Sequence, residues 1–490
     1  MKTETPEDIA LDVLDICANC DQCRELLGEA PCQFFPRLYM LADRKAAGGE
    51  EPTSRELVDL IDLCNSCGQC PCAPIQTRIR ESKDGFVARD GMPLGVRLVE
   101  NVRLVGRLCG TMPSVANALM KTEPVAGWLK SAFGIHPERR MPTIPKESFD
   151  AYAAREGLHA HVEGEGRKVA YFVGCTARHY FPQVAIATVA VLRANGIGVW
   201  VPPQECCGMP TYLEGDRPFT YRLAEHNLAI LADAIERGYD VVTACPTCSF
   251  AFKTALARGA RFAPERRAKI VAMLAEEGGD VTRVRERLIA ETLAPTGRAG
   301  SAAADFHETW VVNHIAVHEH AGEGIDDGYF SDIDANLRIA VASHTWELGE
   351  YLRALAEEEA MKPVAGLASE KLGYFPPCHL REQDMGRPWA ELLAEMPGAT
   401  VETVGRRDDC CGLGGIMGFK KTFHHASLAM GRGLMARTAA AAPDRIVTEC
   451  LGCRVQFEQM QERPVVHPVE LLAAAIAAEG ETPPADPVTT

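Results

Sequence analysis

Ten cysteines in the sequence recur in a near-constant register. Cys175, the adjacent pair Cys206–Cys207 followed by Gly208, and Cys245-Pro-Thr-Cys248 form one copy. Cys378, Cys410–Cys411 followed by Gly412, and Cys450-Leu-Gly-Cys453 form a second, trailing by 203, 204 and 205 residues at successive positions. Neighbouring cysteines rarely bond to each other, because the bridge strains the peptide. A glycine after each pair lets the backbone come close, so both thiols of a pair are expected to face one metal cluster from a tight turn. Zinc or a vicinal redox disulfide is the alternative, but five thiolates exceed what tetrahedral zinc takes.

Eight more cysteines lie between residues 17 and 72. Cys17, Cys20 and Cys23 follow a two-residue spacing, with Cys32 after them; Cys64, Cys67 and Cys70 repeat it, with Cys72 next. Three thiolates so spaced wrap one corner of an iron–sulfur cube, and in two-cluster ferredoxins the fourth comes from the other triplet. That logic groups Cys17, Cys20, Cys23 and Cys72 on one [4Fe–4S] cluster and Cys64, Cys67, Cys70 and Cys32 on the other. The gaps to the fourth cysteines, eight residues and one, depart from the usual spacing. Zinc is again the alternative. The nineteenth cysteine, Cys109, is expected to be a plain buried thiol.

The elements that must position these residues are legible. "TPEDIALDVLDIC" and "TSRELVDLIDLC" each open on a capping residue and an acidic first turn, then show helical periodicity. The first 92 residues therefore read as all-helical. In each repeat, "KVAYFVGC" or "KLGYFPPC" reads as a strand ending at the first cysteine. A helix follows ("QVAIATVAVLRANG", "PWAELLAEMPG"), then a strand ("IGVWVPP", "TVETV") leading to the cysteine pair. A third strand ("DVVTAC", "DRIVTEC") ends at the last two cysteines. Each copy is thus an α/β unit on a parallel sheet with its cysteines at the C-terminal edge, where such sheets bind ligands.

Composition narrows the function. The chain has 490 residues, 47% hydrophobic, and a formal charge of −16, which argues against nucleic acid as a partner. No secretory leader is visible, and no run approaches the roughly 18 apolar residues of a membrane span. A cytoplasmic location is expected, with metal sites rather than structural disulfides. No Gly-x-Gly-x-x-Gly opens a strand–turn–helix, so no flavin or nicotinamide site is expected.

These residues resemble the cysteine-rich CCG-domain iron–sulfur oxidoreductases. The layout looks like the cysteine-rich iron–sulfur subunits of anaerobic glycerol-3-phosphate dehydrogenases and of heterodisulfide reductases. The likeness is densest in "CCGLGGIMGFKKTFHHASLAMG", "TECLGCRVQFEQM" and "HPVELLA". It implies an α-helical ferredoxin-type domain (1–92), a helical linker (93–165), a first CCG domain (166–365) inserted at about 255–345, and a second (366–480). It implies up to two further clusters, cubane or of the non-cubane kind that heterodisulfide reductases hold. It also implies a flavoprotein dehydrogenase as partner, with a quinone or an electron-carrier protein as acceptor. Three functions follow: a one-electron relay, a disulfide reductase, or a cysteine-rich metal store. The last is weak, because a store needs no repeated strand-edge geometry.

Other candidates are secondary. His307, His314, His318 and His320 lie in the insertion without a carboxylate or cysteine motif and read as an ordinary helix or a partner contact. His344 and Glu347 could relay protons, though a packed helix is the simpler reading. His379, His424 and His425 follow cluster cysteines and could tune a cluster or protonate a thiolate product. Residues 94–108 read as one amphipathic helix with Arg97, Arg103 and Arg107 opposite an apolar face. The segment 94–134, of charge +3, therefore suits either peripheral contact with an anionic membrane or packing on the core.

Overall fold

The computed structural model describes residues 4–20, 32–66, 73–293, 329–362 and 369–478, with positions 24, 312 and 366. Both N-terminal helices begin where the capping signals place them. Thr5 caps Pro6–Ala18 and Thr53 caps Ser54–Ile61, each in a reciprocal box with Asp8 or Glu56. Helices Phe34–Ala46 and Ala73–Asp90 complete this unit, around Val13, Leu14, Phe34, Leu38, Leu60 and Ile79.

Two four-stranded parallel sheets follow. Strands β1 (Lys168–Tyr171), β2 (Gly198–Trp200), β3 (Asp240–Thr243) and β4 (Thr345–Glu347) lie in the order β2-β1-β3-β4. Strands β5 (Glu370–Tyr374), β6 (Ala399–Thr403), β7 (Arg445–Val447) and β8 (Val465–Val466) repeat it as β6-β5-β7-β8. The registers match as well: Val169 pairs Asp240 and Leu372 pairs Arg445. The fold is α/β with two small parallel sheets.

The fourth strands correct the sequence reading. "SHTWELGEYL" is not one packed helix: helix Ala335–His344 ends, Thr345–Glu347 is β4, and helix Leu348–Glu357 follows. The Glu347 carboxylate caps that last helix, accepting from the Gly349 N–H at 2.6 Å. In the first copy β3 and β4 are separated by about a hundred residues; in the second, β7 and β8 lie close in sequence.

The halves interlock. Helix Pro182–Ala194 of the first packs on Pro468–Ala478 of the second, and Leu348–Glu357 packs on Pro388–Ala394. One buried core therefore runs through both sheets, from Tyr171 and Trp346 to Tyr374 and Trp389.

The linker also departs from the sequence reading. Residues 94–108 are two helices, Leu94–Glu100 and Val102–Thr111, broken at Asn101, whose side chain accepts from the Leu104 N–H. Pro113–Lys121 and Val125–Ala132 follow. Cys109 is half-buried rather than buried, and desolvation raises its pKa.

An ion network ties the three units together. The Lys420 ammonium lies 3.0 Å from Asp62 and 2.8 Å from Glu214, and Lys83 lies 2.9 Å from Asp62. Burial pushes the Asp62 carboxyl up, but Lys83 and Lys420 outweigh it and hold it below its ordinary range. A depressed carboxyl adds stability that is complete above its unfolded value of about 3.9 and is lost as pH falls through the folded one. Lys420→Met should therefore cost on the order of 3 kcal/mol at neutral pH, the low end for breaking a buried pair. It should also flatten the loss of stability below about pH 4, both read from denaturant midpoints against pH.

Candidate metal centre

Each cysteine sits where a parallel strand ends. Cys175 opens a short helix after β1, preceded by Gly174 at φ +75°. A Cβ on Gly174 would lie 3.1 Å from the Cys248 sulfur, so glycine makes room for the thiols. Cys206–Cys207 follow β2, and Gly208, left-handed at φ +88°, starts the next helix. Cys245 caps the helix Pro246–Phe250, which carries Cys248. In the second copy Cys378 opens helix Cys378–Arg381, Gly412 is again at φ +88°, and the Cys450 sulfur accepts from the Cys453 N–H at 3.4 Å.

The adjacent cysteines point two ways, identically in both copies. Cys206 approaches Cys175 at 3.5 Å, while Cys207 meets Cys248. Cys410 meets Cys378, while Cys411 approaches Cys453 at 3.2 Å. These separations far exceed a disulfide's ~2.05 Å. Each pair thus spans its set, one thiol reaching the first cysteine and the other reaching the last. The thiols shift one another: contacts from Cys206 and then Cys248 draw Cys207 down to about 6. Cys378, then Cys411, hold Cys410 well below its ordinary value.

Both sets open onto one cavity of about 200 Å³. Its other walls are mostly apolar, with Val99, Val102 and Val105 from the linker, and Ile135, Leu413 and Phe419. Thr247, inside the first set's Cys-x-x-Cys, joins the two sets. Its hydroxyl lies 3.0 Å from His379 Nδ1 and within hydrogen-bonding reach of the Cys450 sulfur. Burial holds His379 down to about 4, so it is neutral at pH 7, with its ring stacked on Phe250.

Of the N-terminal cysteines, Cys17 is buried and Cys20, Cys32 and Cys64 are half-buried and free. Cys23, Cys67, Cys70 and Cys72 lie outside the described residues, as do His307, His314, His318 and His320. Burial pushes Cys32 up to about 11, with Cys64 and Cys410 adding to the shift. The Asn65 amide lies 3.8 Å from the Cys410 sulfur, so the second triplet begins beside the second set.

Supporting residues escaped the sequence reading. Gln204 bonds Val173 N–H and Tyr171 carbonyl, fixing the first pair's loop to β1, and Asn227 clamps the Cys206 carbonyl. Neither carries a motif. His344 and Glu347 do not line the cavity. Glu347 is fully buried beneath Trp389, and burial raises it to about 7.

A family model for a cysteine-rich domain matches residues 169–253 and 372–458. The chain carries two copies of the CCG domain. It is 23% identical to one of the subunits of the anaerobic glycerol-3-phosphate dehydrogenase of Escherichia coli K12, over 78% of this chain and 76% of that protein. One of the subunits of a CoM/CoB fumarate reductase from Methanothermobacter marburgensis is 20% identical, over 63% of this chain and 45% of its own length. Lactate utilization protein A of Shouchella clausii is 22% identical, over 60% and 92%. These similarities support iron–sulfur chemistry and an oxidoreductase-associated electron-transfer role.

The CCG glycines give a direct comparison. Gly208 and Gly412 share φ, so alanine costs each ~1–2 kcal/mol in left-handed strain. At Gly412 a Cβ would also lie 2.1 Å from the Ser427 carbonyl, whereas nothing comes nearer than 3.8 Å at Gly208. Gly412→Ala should therefore lower the thermal midpoint several degrees further than Gly208→Ala; the reverse order would contradict this packing.

Proposed function

We propose that the chain is the iron–sulfur subunit of an anaerobic respiratory oxidoreductase. It relays electrons between a flavoprotein dehydrogenase, of glycerol-3-phosphate or 2-hydroxy-acid type, and a quinone or other carrier. The observation that carries this reading is the meeting of two five-cysteine sets at Thr247 around one apolar cavity.

The donor set fits the group. Buried, soft thiolates in fives, with glycine holding the backbone clear, suit iron–sulfur ligation better than a tetrahedral ion. Cys175, Cys206, Cys207, Cys245 and Cys248 would hold one cluster, and Cys378, Cys410, Cys411, Cys450 and Cys453 another. Cys17, Cys20, Cys23 and Cys72, and Cys64, Cys67, Cys70 and Cys32, would hold two more; the influence of Cys64 on Cys32 supports the latter grouping. When bound, such clusters supply reversible one-electron uptake. The protein's part is to fix the thiolates, exclude water with Val99, Val102, Val105 and Leu413, and bring the second triplet beside Cys410 through Asn65.

Reduction of a substrate disulfide is a second reading, favoured by one specific feature: both sets face the same cavity. Turnover of a disulfide by the isolated chain would select it.

Anaerobically purified protein should contain about four clusters, ~16 iron per chain. Cys411→Ala should remove one cluster's signal and leave the ferredoxin-type signals intact. Stoichiometric zinc with little iron would contradict the proposal.

The linker supports contact with a membrane surface. Among the described residues, only Ile16 and Met40 of the eleven exposed large apolar side chains lie outside residues 94–133. Leu94 is 83% exposed, Trp128 72%, Met112 62% and Leu108 60%. The basic face is smaller than the sequence suggests: Arg103 pairs with Glu205, and Lys130 is buried against the Pro137 carbonyl. Arg97, Arg107 and Lys121 remain exposed. No described helix is long and apolar enough to cross a membrane. The helix Val102–Thr111 walls the cavity through Val102 and Val105 and exposes Leu104 and Leu108, so it would join the cavity to the bilayer surface. The purified chain should sediment with anionic liposomes, less so at high salt, and Leu108→Asp with Trp128→Ser should abolish it. Sedimentation unchanged in that variant would rule out this surface.

A further inference from the structure

The two CCG sets are alike in thiol geometry and unlike in surrounding charge. Arg139, from the linker, is completely buried, and none of its three guanidinium nitrogens has a hydrogen-bond partner among the described residues. Its guanidinium lies 4.8 Å over the ring of Phe419, which lines the cluster cavity. The backbone around it is firmly placed. The His136 N–H donates to the Phe419 carbonyl, Arg139 N–H to the His136 carbonyl, and Arg140 N–H to the Gln459 side chain. A buried guanidinium without a counter-charge is costly, so its place in the fold calls for an anion. Among the described residues, the charge that favours its cationic form is that of Cys411.

The neighbouring groups do not supply another answer. The rings of His136 and His424 stack on each other at 3.9 Å, and desolvation lowers both, so they are neutral at pH 7. They and Glu138 bring three ligand atoms within 4.8 Å, but an adjacent guanidinium opposes a cation there. Arg381 also bears on Cys410, yet the Pro376 and Asp409 carbonyls satisfy it. At the first set, Cys175, Cys206, Cys207 and Cys248 are shifted by one another, by burial and by local hydrogen bonds, with no cation among the leading influences.

We infer that Arg139 is the built-in counter-charge of the second set, raising the reduction potential of the cluster held by Cys378, Cys410, Cys411, Cys450 and Cys453 above that of the first. This rests on the reading that both sets hold iron. Adding one electron lowers a cluster's charge by one, and a fixed positive charge nearby stabilises the reduced form more than the oxidised one. No proton or bond is exchanged. The electron comes from the reductant in a titration, and in the protein from the N-terminal unit, whose Asn65 touches Cys410. Arg139 thus acts as a positioning charge that makes the second set the electron sink.

The test is an EPR-monitored redox titration of the anaerobic full-length chain, wild type against Arg139→Gln and Arg139→Lys, with iron counted in each. Arg139→Gln should weaken one-electron uptake at one cluster at least tenfold, a downward shift of about 59 mV. The other signals should stay in place, and Arg139→Lys should restore most of the shift. Loss of one cluster in Arg139→Gln with retention in Arg139→Lys supports the same charge requirement at assembly. Iron at full count with unmoved potentials overturns the inference, as does equal loss in both variants. Wild-type protein lacking iron in the CCG sets overturns it together with the metal reading.

Discussion

Convergence of the two cysteine sets on one cavity, which nine of their ten thiols line, is the constraint on which the rest of this structure depends. Parallel strands bring Cys175, the Cys206 pair and Cys245 to one edge of the first sheet, and the second sheet does the same for its five. Thiols gathered so closely in an apolar place resist ionisation, which is why Cys175, Cys206, Cys248, Cys411 and Cys453 are raised. Metal binding must supply the free energy to ionise them, and that couples metal loading to the stability of the loops. Exchange of helices between the halves fixes the sheets so that both edges face the same space.

The N-terminal unit is placed by the same logic. Lys420, close in sequence after the second cysteine pair, joins Asp62 and Glu214, and Arg80 bonds the carbonyls of Tyr212 and Leu213. The N-terminal unit thus touches both halves, and Asn65 comes beside Cys410 of the second set. Thr247 then leads to the other, since its hydroxyl touches both His379 and Cys450. A chain of short contacts runs from the N-terminal unit through the second set to the first, with Arg139 beside its middle member.

Much of this was legible in the sequence, because cysteine spacing and strand patterning report the same geometry independently. The three strands before the cysteines and the capped helices at Thr5 and Thr53 stand where their patterns place them. Strands β4 and β8 were not legible: neither leads to a cysteine, β8 has two residues, and β4 lies at the end of a long insertion. The break at Asn101 was hidden because the apolar period continues across it, and only the cap betrays it. Arg139, Gln204 and Asn227 carry no spacing signal at all, since their importance comes from burial among residues distant in sequence.

The most direct measurement is the EPR spectrum of the anaerobic chain, reduced far enough to place an electron on both CCG sets at once. Clusters held by the two sets would lie on either side of the Thr247 side chain and would interact through their spins. Split signals are expected, collapsing to a single unsplit one when Cys206 is replaced by Ala. Two independent, unsplit signals in the wild type would contradict a shared cavity, and the absence of any signal beyond the ferredoxin type would contradict clusters in the CCG domains.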